Sequence, residues 1–116
     1  MISIAQTKDL DQWLPALADP TRRRIVEMLG ESQLTATQIH QAFPIAAPAV
    51  SRHLRLLREA GLIVEQRVPD DRRVRLYALA PEPLEALSRW AEHLSQAWQE
   101  QLEAFKDYVA LRKGAQ

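Results

Sequence analysis

The segment that most constrains the fold is residues 48–61, which begins with a proline and ends with a glycine. Between these ends, Val50, Leu54 and Leu57 follow the i, i+4, i+7 spacing that places side chains on one face of an α-helix. Proline suits the first turn of a helix, and glycine suits the residue that follows its last turn. The pattern therefore predicts an amphipathic helix that ends at Ala60 and packs by its apolar face. This predicted helix is called the reading helix below.

Local capping signals predict further helices before the reading helix. Asp19 and Thr35 are suited to N-cap positions because their short polar side chains accept hydrogen bonds from exposed backbone N–H groups. Gly30 is expected to end the helix that Asp19 begins. Pro15 implies that the first helix bends or begins near Leu14. The three predicted helices cover residues 9–18, Pro20 to about Leu29, and roughly residues 36–43.

After the reading helix, the hydrophobic pattern changes from helical to strand-like. Residues 62–68 and 74–79 are rich in β-branched and apolar residues, and the turn-forming sequence PDDRR separates them. They predict a hairpin, although its register is not defined by the pattern. From Pro83 to Arg112, apolar residues recur at intervals of three and four, which predicts a long final helix.

The order of these elements predicts a mainly α fold with a small β-hairpin, the arrangement of a winged helix-turn-helix. The length of 116 residues predicts a single domain over 1–116. We expect residues 20–80 to form the DNA-binding core. The helices at 9–18 and 83–112 are expected to mediate dimerisation.

The formal net charge is zero, but the charges are segregated along the chain. Residues 20–77 contain ten arginines and six acidic residues, whereas the segments before and after each have a net charge of −2. A basic centre with acidic flanks suits a protein that presents one face to a polyanion. Solvent-exposed arginine clusters without a nucleic-acid partner are the alternative interpretation.

The reading helix carries the main candidate site. Opposite its apolar face lie Pro48, Arg52, Arg55 and Glu59, with Ser51 at the flank. Two arginines one turn apart can reach guanine edges or phosphates in the major groove, and a serine can bond a phosphate. Arginines of the hairpin and of the second helix are further candidates for phosphate or minor-groove contacts. The residues predicted to contact DNA are Ala47, Pro48, Ala49, Ser51, Arg52, Arg55, Arg67, Arg72, Arg73, Arg75, Arg22 and Arg23.

The final helix has an apolar stripe larger than a domain of this size is expected to cover, which predicts a two-fold interface between copies of the chain. Such an axis would place two reading helices about 34 Å apart, one turn of DNA. The alternative is that the stripe covers its own domain. The predicted interface residues are Trp13, Leu17, Leu87, Trp90, Leu94, Trp98, Leu102 and Phe105.

Several classes of function are not supported by the sequence. The chain has no cysteine, and no segment has the composition of a membrane span or a signal peptide. No nucleophile elbow, phosphate loop or paired carboxylate motif is present, so we expect a non-enzyme without cofactors. We expect a cytoplasmic location and no membrane partner. The sequence does not identify a small-molecule effector.

Three runs of sequence are similar to a known family. ALADPTRRRIVEMLG, followed by PAVSRHLRLLREAGLIVEQR and VRLYAL, resembles the ArsR family of bacterial winged-helix repressors over about residues 13–80. The resemblance implies a homodimer whose first and last helices pack together. It also implies that two reading helices bind a palindromic operator and repress a nearby operon.

The sequence departs from the family at two places. Many members carry polar residues where this chain has Ala46 and Ala47, which leaves the reading helix without its usual cap. Metal-sensing members carry a Cys-x-Cys pair or a set of Asp, His and Glu ligands, whereas the final helix here has only His93 with scattered carboxylates. The metal-independent subgroup is therefore expected. Two alternatives stay open: a winged-helix module for protein contacts, and a metal-responsive repressor that uses His93.

Overall fold

The computed structural model describes the backbone of residues 4–114 and the side chains of residues 9–114. Helices alternate with short strands in the order of the chain. The elements are α1 (Ile4–Ala16), α2 (Pro20–Glu31), β1 (Leu34–Thr35), α3 (Ala36–Gln41), α4 (Ala47–Glu59), β2 (Ile63–Val68), β3 (Asp71–Leu79) and α5 (Pro81–Gly114). The mainly helical architecture with a β-hairpin agrees with the prediction, and α4 is the reading helix.

The chain divides into two compact units. The first unit, Met1–Leu84, contains every element from α1 to β3, and the second, Glu85–Gln116, contains most of α5. Among the described residues, no helix is both long enough and apolar enough to cross a membrane.

The core of the first unit joins the helices to the sheet. Six side chains are almost fully excluded from solvent, and burying each one stabilises the fold by roughly 1.5–3 kcal/mol. They come from α2, α3, α4, the residue before β2, and β2 itself. These residues are Ile25, Ile39, Val50, Leu57, Leu62 and Ile63.

The hairpin is part of a three-stranded antiparallel sheet in the order β1-β3-β2. Strand β1 was not predicted, because two residues carry no periodic signal. It pairs Leu34 with Tyr77 and Thr35 with Leu76. Strand β1 leads directly into α3, so the pairing anchors the start of that helix to the sheet.

The sheet also corrects the predicted loop. The expected connection PDDRR is shorter in the structure, because β3 already begins at Asp71. Arg67 pairs with Arg75, whereas the next residue, Val68, pairs with Asp71, so residues 72–74 lie in an irregularity of the ladder. The ladder is regular from Ile63 to Arg67, and alternation did not define its register because Leu62, Ile63 and Val64 are apolar on both faces.

Several predicted helix boundaries differ by one or two residues, and three need a larger correction or an explanation. Helix α1 extends over Ile4–Ala16, so Pro15 lies in its last turn, where a missing N–H and a ring clash disturb little of the helix. Gly30 does not end α2, which continues to Glu31. Helix α5 begins at Pro81 rather than Pro83. In contrast, Gly61 follows α4 with φ of 82°, a left-handed conformation that glycine adopts without steric cost.

Both predicted N-caps are present. The Thr35 hydroxyl accepts a hydrogen bond from the Gln38 backbone, and the Gln38 side chain bonds back to the Thr35 N–H, which completes a capping box. The Asp19 carboxylate accepts a hydrogen bond from the Arg22 backbone N–H at 3.1 Å. This bond lowers the pKa of Asp19; desolvation opposes the shift, and the nearby His53 adds a smaller lowering effect.

We predict that Asp19→Ala lowers the free energy of unfolding by about 1 kcal/mol at neutral pH, because α2 loses its cap. Folding lowers the Asp19 pKa, so the charge-dependent part of this stability is complete above the ordinary pKa of about 4. It is lost as the pH falls through the lower folded-state value. Urea denaturation of both proteins from neutral to acidic pH measures the difference.

The control is Asp11→Ala, which removes an exposed carboxylate from α1. A stability loss for Asp19→Ala that matches the control, or that stays constant at all pH values, would contradict the capping role.

Candidate nucleic-acid interface

Because one face of α4 is buried, the opposite face must point to solvent. Val50, Leu54 and Leu57 are 0%, 3% and 0% exposed, so all three predicted core positions are confirmed. Arg52 and Arg55 lie on the opposite side, and both are exposed. The helix therefore presents two guanidinium groups to solvent, one turn apart.

Arg55 forms a weak ion pair within its own helix. Its Nε lies 3.9 Å from Oε1 of Glu59, and both side chains are more than half exposed. An exposed pair at this spacing contributes only about 0.3–0.5 kcal/mol. A phosphate or a guanine edge can therefore replace Glu59 at little cost.

The first turn of α4 is apolar and uncapped. Ala46 occupies the N-cap position with extended backbone angles, and it provides no side-chain hydrogen bond. Ala47, Pro48 and Ala49 are exposed, and Ile45 just before them is 42% exposed. This end of α4 offers methyl and methylene groups, which suit contact with the methyl group of thymine.

Ser51 connects α4 to α3. Its hydroxyl lies 3.3 Å from Nε2 of His40, and both side chains adjoin a groove of about 540 Å³ between α3, α4 and β3. Arginines from α4 and β3 also line the groove. The lining residues are Ala36, His40, Pro48, Ser51, Arg52, Leu54, Arg55, Arg58, Arg75 and Tyr77.

The hairpin presents four of the predicted arginines. Arg67, Arg72, Arg73 and Arg75 are all exposed. Arg67 donates to the Arg72 backbone carbonyl at 3.1 Å. Arg73 is 95% exposed and lies 3.6 Å from Asp71. The tip is therefore basic. Of its acidic residues, Asp71 is paired with Arg73.

Glu65 is a site residue that the sequence reasoning missed. Its carboxylate forms ion pairs with Arg58 of α4 and with Arg67 and Arg75 of the hairpin, and its side chain is only 12% exposed. One signal was available in the sequence: Glu65 and Arg67 are two apart in a strand, so they share a face. The contact with α4 has no such signal.

Arg22 and Arg23 were predicted to contact phosphates, and the structure gives both of them backbone partners. Arg22 donates to the carbonyls of Ala16 and Pro15 at 2.7 and 3.4 Å. Arg23 donates to the carbonyl of Leu17 at 3.0 Å and to that of Ala18 at 3.1 Å. These bonds satisfy carbonyl groups in the last turn of α1 and in the connection to α2, which explains why arginines occupy the first turn of α2. Their contact with DNA stays a prediction.

His53 connects α4 with the start of α2. Its Nδ1 lies 3.2 Å from Nη1 of Arg22 and 3.9 Å from Oδ2 of Asp19. A guanidinium can only donate, so the bond to Arg22 requires an unprotonated Nδ1 on His53. The histidine thus connects the reading helix to the start of α2, and its side chain is 20% exposed.

The predicted dimer residues differ in exposure. Trp13 is buried and Leu17 is half-buried, and both lie in the first unit. In α5, Leu87, Trp90 and Leu102 are half-buried. The strongly exposed members of the stripe on α5 are Leu94 at 50%, Trp98 at 61%, Phe105 at 62% and Tyr108 at 55%.

Candidate metal ligands are not clustered in the described part of the chain. Between residues 9 and 114, no group of three His, Cys, Asp or Glu side chains is arranged to hold a metal ion. His93 is exposed on α5.

The fold and this surface define a class of protein. A short helix, α3, precedes a helix that buries one face and exposes the other, and a basic β-hairpin follows. This is the arrangement of a winged helix-turn-helix DNA-binding protein.

Comparison with known proteins identifies the family. Residues 17–66 match the model of a helix-turn-helix domain. The transcriptional regulator Rv2034 of Mycobacterium tuberculosis is 43% identical over 77 residues, which cover 66% of this chain and 69% of that protein. Together with a solved ArsR family regulator that is 30% identical and matched over 97% of its length, this relative shows that the chain belongs to the ArsR family of helix-turn-helix transcriptional regulators.

Further relatives have related names. The repressor SdpR of Bacillus subtilis is 40% identical over 45% of this chain and 58% of that protein. The arsenic resistance regulator ArsR1 of Pseudomonas putida is 31% identical over 71% of this chain and 65% of that protein. All three relatives are named as transcriptional regulators or repressors, which confirms the expectation of a non-enzyme.

Solved structures support the fold. A crystal structure of an ArsR family transcriptional regulator covers 78% of this chain and 97% of its own, with 30% identity and a TM-score of 0.69. An ArsR-like regulator from Rhodococcus covers 90% of this chain and 95% of its own, with 26% identity and a TM-score of 0.71. The winged helix-turn-helix prediction is thereby confirmed.

We predict that Ala46→Ser raises the free energy of unfolding by roughly 0.5–2 kcal/mol, because the serine hydroxyl can accept from an unpaired N–H group in the first turn of α4. Urea denaturation at a fixed protein concentration measures the effect. Ala47→Ser is the matched control, since it adds the same hydroxyl one residue beyond the cap. Equal stabilities of the two variants would contradict the capping account.

Proposed function

We propose that this protein is a homodimeric repressor that binds a palindromic operator through α4 and the hairpin, without a metal effector. The observation that supports the proposal best is the orientation of α4: its apolar face is buried, and Arg52 and Arg55 point to solvent. Repression is proposed because SdpR, a relative, is named a repressor. We place this activity in the cytoplasm.

Specific recognition is assigned to α4. Arginine forms bidentate hydrogen bonds to guanine in the major groove, and each such pair provides about 1–3 kcal/mol of discrimination. The exposed alanines at the start of α4 add apolar contacts. In this proposal the arginines of the hairpin bind phosphates or the minor groove and set the orientation of the protein on the duplex.

The absence of a metal effector is proposed from the chemistry of the sequence. The chain contains no cysteine, so it lacks the thiolate ligands that soft metals prefer. His93 is the only histidine of α5. A regulator of this composition would respond to another signal or act constitutively.

The dimer is proposed from the second unit. At 100° per residue, Leu94, Trp98, Phe105 and Tyr108 fall on one side of α5, and each is at least half exposed. Exposed apolar stripes of this kind mark partner surfaces. The stripe fits a second copy of the chain, because a two-fold axis pairs the same surface with itself. Leu17, which follows α1, is also proposed as a residue that contacts the second copy, whereas Trp13 is 8% exposed and offers little surface to a partner.

We predict that Arg52→Ala combined with Arg55→Ala removes sequence preference but leaves salt-dependent binding to random DNA. Each lost arginine is expected to reduce discrimination by about 1–3 kcal/mol. Selection from random oligonucleotides with the unaltered protein provides the preferred duplex. Fluorescence anisotropy then measures the affinity for that duplex and for a scrambled one.

The matched control is Arg24→Ala with Arg89→Ala, which removes the same charge from exposed positions on α2 and α5. An unchanged preference in the Arg52 and Arg55 double variant would refute the assignment of α4. Zinc ions and a chelator are expected to leave the affinity of the unaltered protein unchanged.

We predict that Trp98→Glu combined with Phe105→Glu converts the protein from a dimer to a monomer, because four carboxylates would meet at the interface. Sedimentation equilibrium distinguishes the 13.2 kDa monomer from a dimer of twice that mass. The control, Gln96→Glu with Gln99→Glu, places the same charge on the other side of α5. A monomeric unaltered protein, or a double variant that remains dimeric, would contradict the proposed interface.

A further inference from the structure

Glu65 lies at the meeting point of three arginines from three different elements. Its Oε2 atom pairs with Nη1 of Arg58 in α4, and its Oε1 atom lies 3.7 Å from Nη2 of Arg67 in β2 and 3.7 Å from Nε of Arg75 in β3. We call these four residues the Glu65 cluster. It belongs entirely to the first unit.

The strand register explains why an acid is needed here. Arg67 and Arg75 are directly opposite each other in the β2–β3 ladder. Like charges in this position repel and destabilise a strand pair. Glu65 precedes Arg67 by two residues and therefore lies on the same face of β2, where its carboxylate offsets the repulsion.

The arginines in the cluster are still available to a ligand. Their side chains are 46%, 52% and 54% exposed, whereas that of Glu65 is 12% exposed. A guanidinium has five N–H donors, so each arginine can bond to Glu65 and to a phosphate at the same time. Two of these arginines, Arg58 and Arg75, also line the groove beside Arg52 and Arg55.

We propose that Glu65 is a positioning residue for DNA recognition: its carboxylate ties Arg58 of α4 to Arg67 and Arg75 of the hairpin, so that the reading helix and the hairpin present one ordered array. This inference rests on the proposed function. Arginines held in place before binding lose less side-chain freedom on the duplex. The negative charge of Glu65 also weakens attraction to phosphates of any sequence.

Glu65→Gln tests the proposal in the full-length protein. The amide keeps the shape of the side chain, but it removes the charge that holds the three guanidinium groups. We expect the ratio of affinities for the selected and scrambled duplexes to fall at least about fivefold, because the arginines become mobile. Affinity for the scrambled duplex should rise, and its salt dependence should steepen by about 0.9 for each additional phosphate that the protein neutralises.

The matched control is Glu31→Gln, which makes the same charge change at the exposed end of α2. It is expected to leave the affinity ratio unchanged. A purely structural role of Glu65 would instead weaken binding to both duplexes equally and leave the salt dependence as it is. That result would overturn the proposal.

A second variant separates positioning from net charge. Glu65→Gln combined with Arg67→Gln restores the original net charge of the cluster without restoring its ion pairs. A ratio that stays low supports positioning by Glu65, whereas recovery of the ratio would show that net charge alone matters and would overturn the proposal.

Arg58→Gln provides an independent measurement should Glu65→Gln prevent folding, as judged by circular dichroism. This variant removes the ion pair between α4 and the cluster at a half-exposed position. We expect a lower affinity ratio than that of the control Arg24→Gln. An unchanged ratio would overturn the inference.

If the unaltered protein selects no DNA sequence at all, the proposed function itself is wrong. If it selects a sequence and Glu65→Gln discriminates equally well, only the role of Glu65 is wrong.

Discussion

The apolar contact beneath α4 is the interaction on which the functional surface depends. Val50, Leu54 and Leu57 are almost completely excluded from solvent, and each contributes roughly 1.5–3 kcal/mol through burial. An amphipathic helix that buries one face has no freedom to rotate about its axis. The exposed positions of Arg52 and Arg55 are therefore a consequence of hydrophobic packing, and the site needs no strained backbone or buried charge to present them.

Arginine serves two different purposes in this chain. At the start of α2, Arg22 and Arg23 satisfy backbone carbonyl groups of the last turn of α1 and of the residue after it, so these arginines help to connect two helices. In α4 and the hairpin, arginines are exposed or share the carboxylate of Glu65. A count of basic residues cannot separate these purposes, because the difference lies in which acceptor each guanidinium meets. The Glu65 cluster links the second group into a single surface.

Much of the fold was accessible from the sequence because its signals are local. The cap of α2 at Asp19 and the capping box at Thr35 use bonds between residues three apart, and Gly61 provides a left-handed conformation at one position. The helix and strand boundaries that were predicted wrongly depend on contacts with other parts of the chain. Gly30 remains helical in α2, and the two-residue strand β1 exists only because β3 lies beside it.

The sequence by itself determined the helix-turn-helix, its apolar contact and the arginines on the outer face of α4, since side-chain periodicity along a helix follows from covalent geometry. The tertiary structure alone decided that Glu65 meets Arg58, and that Ser51 and His53 contact residues of α3 and α2. These contacts join side chains from separate elements. Their distances depend on how the elements pack and on the strand register, which no local pattern encodes.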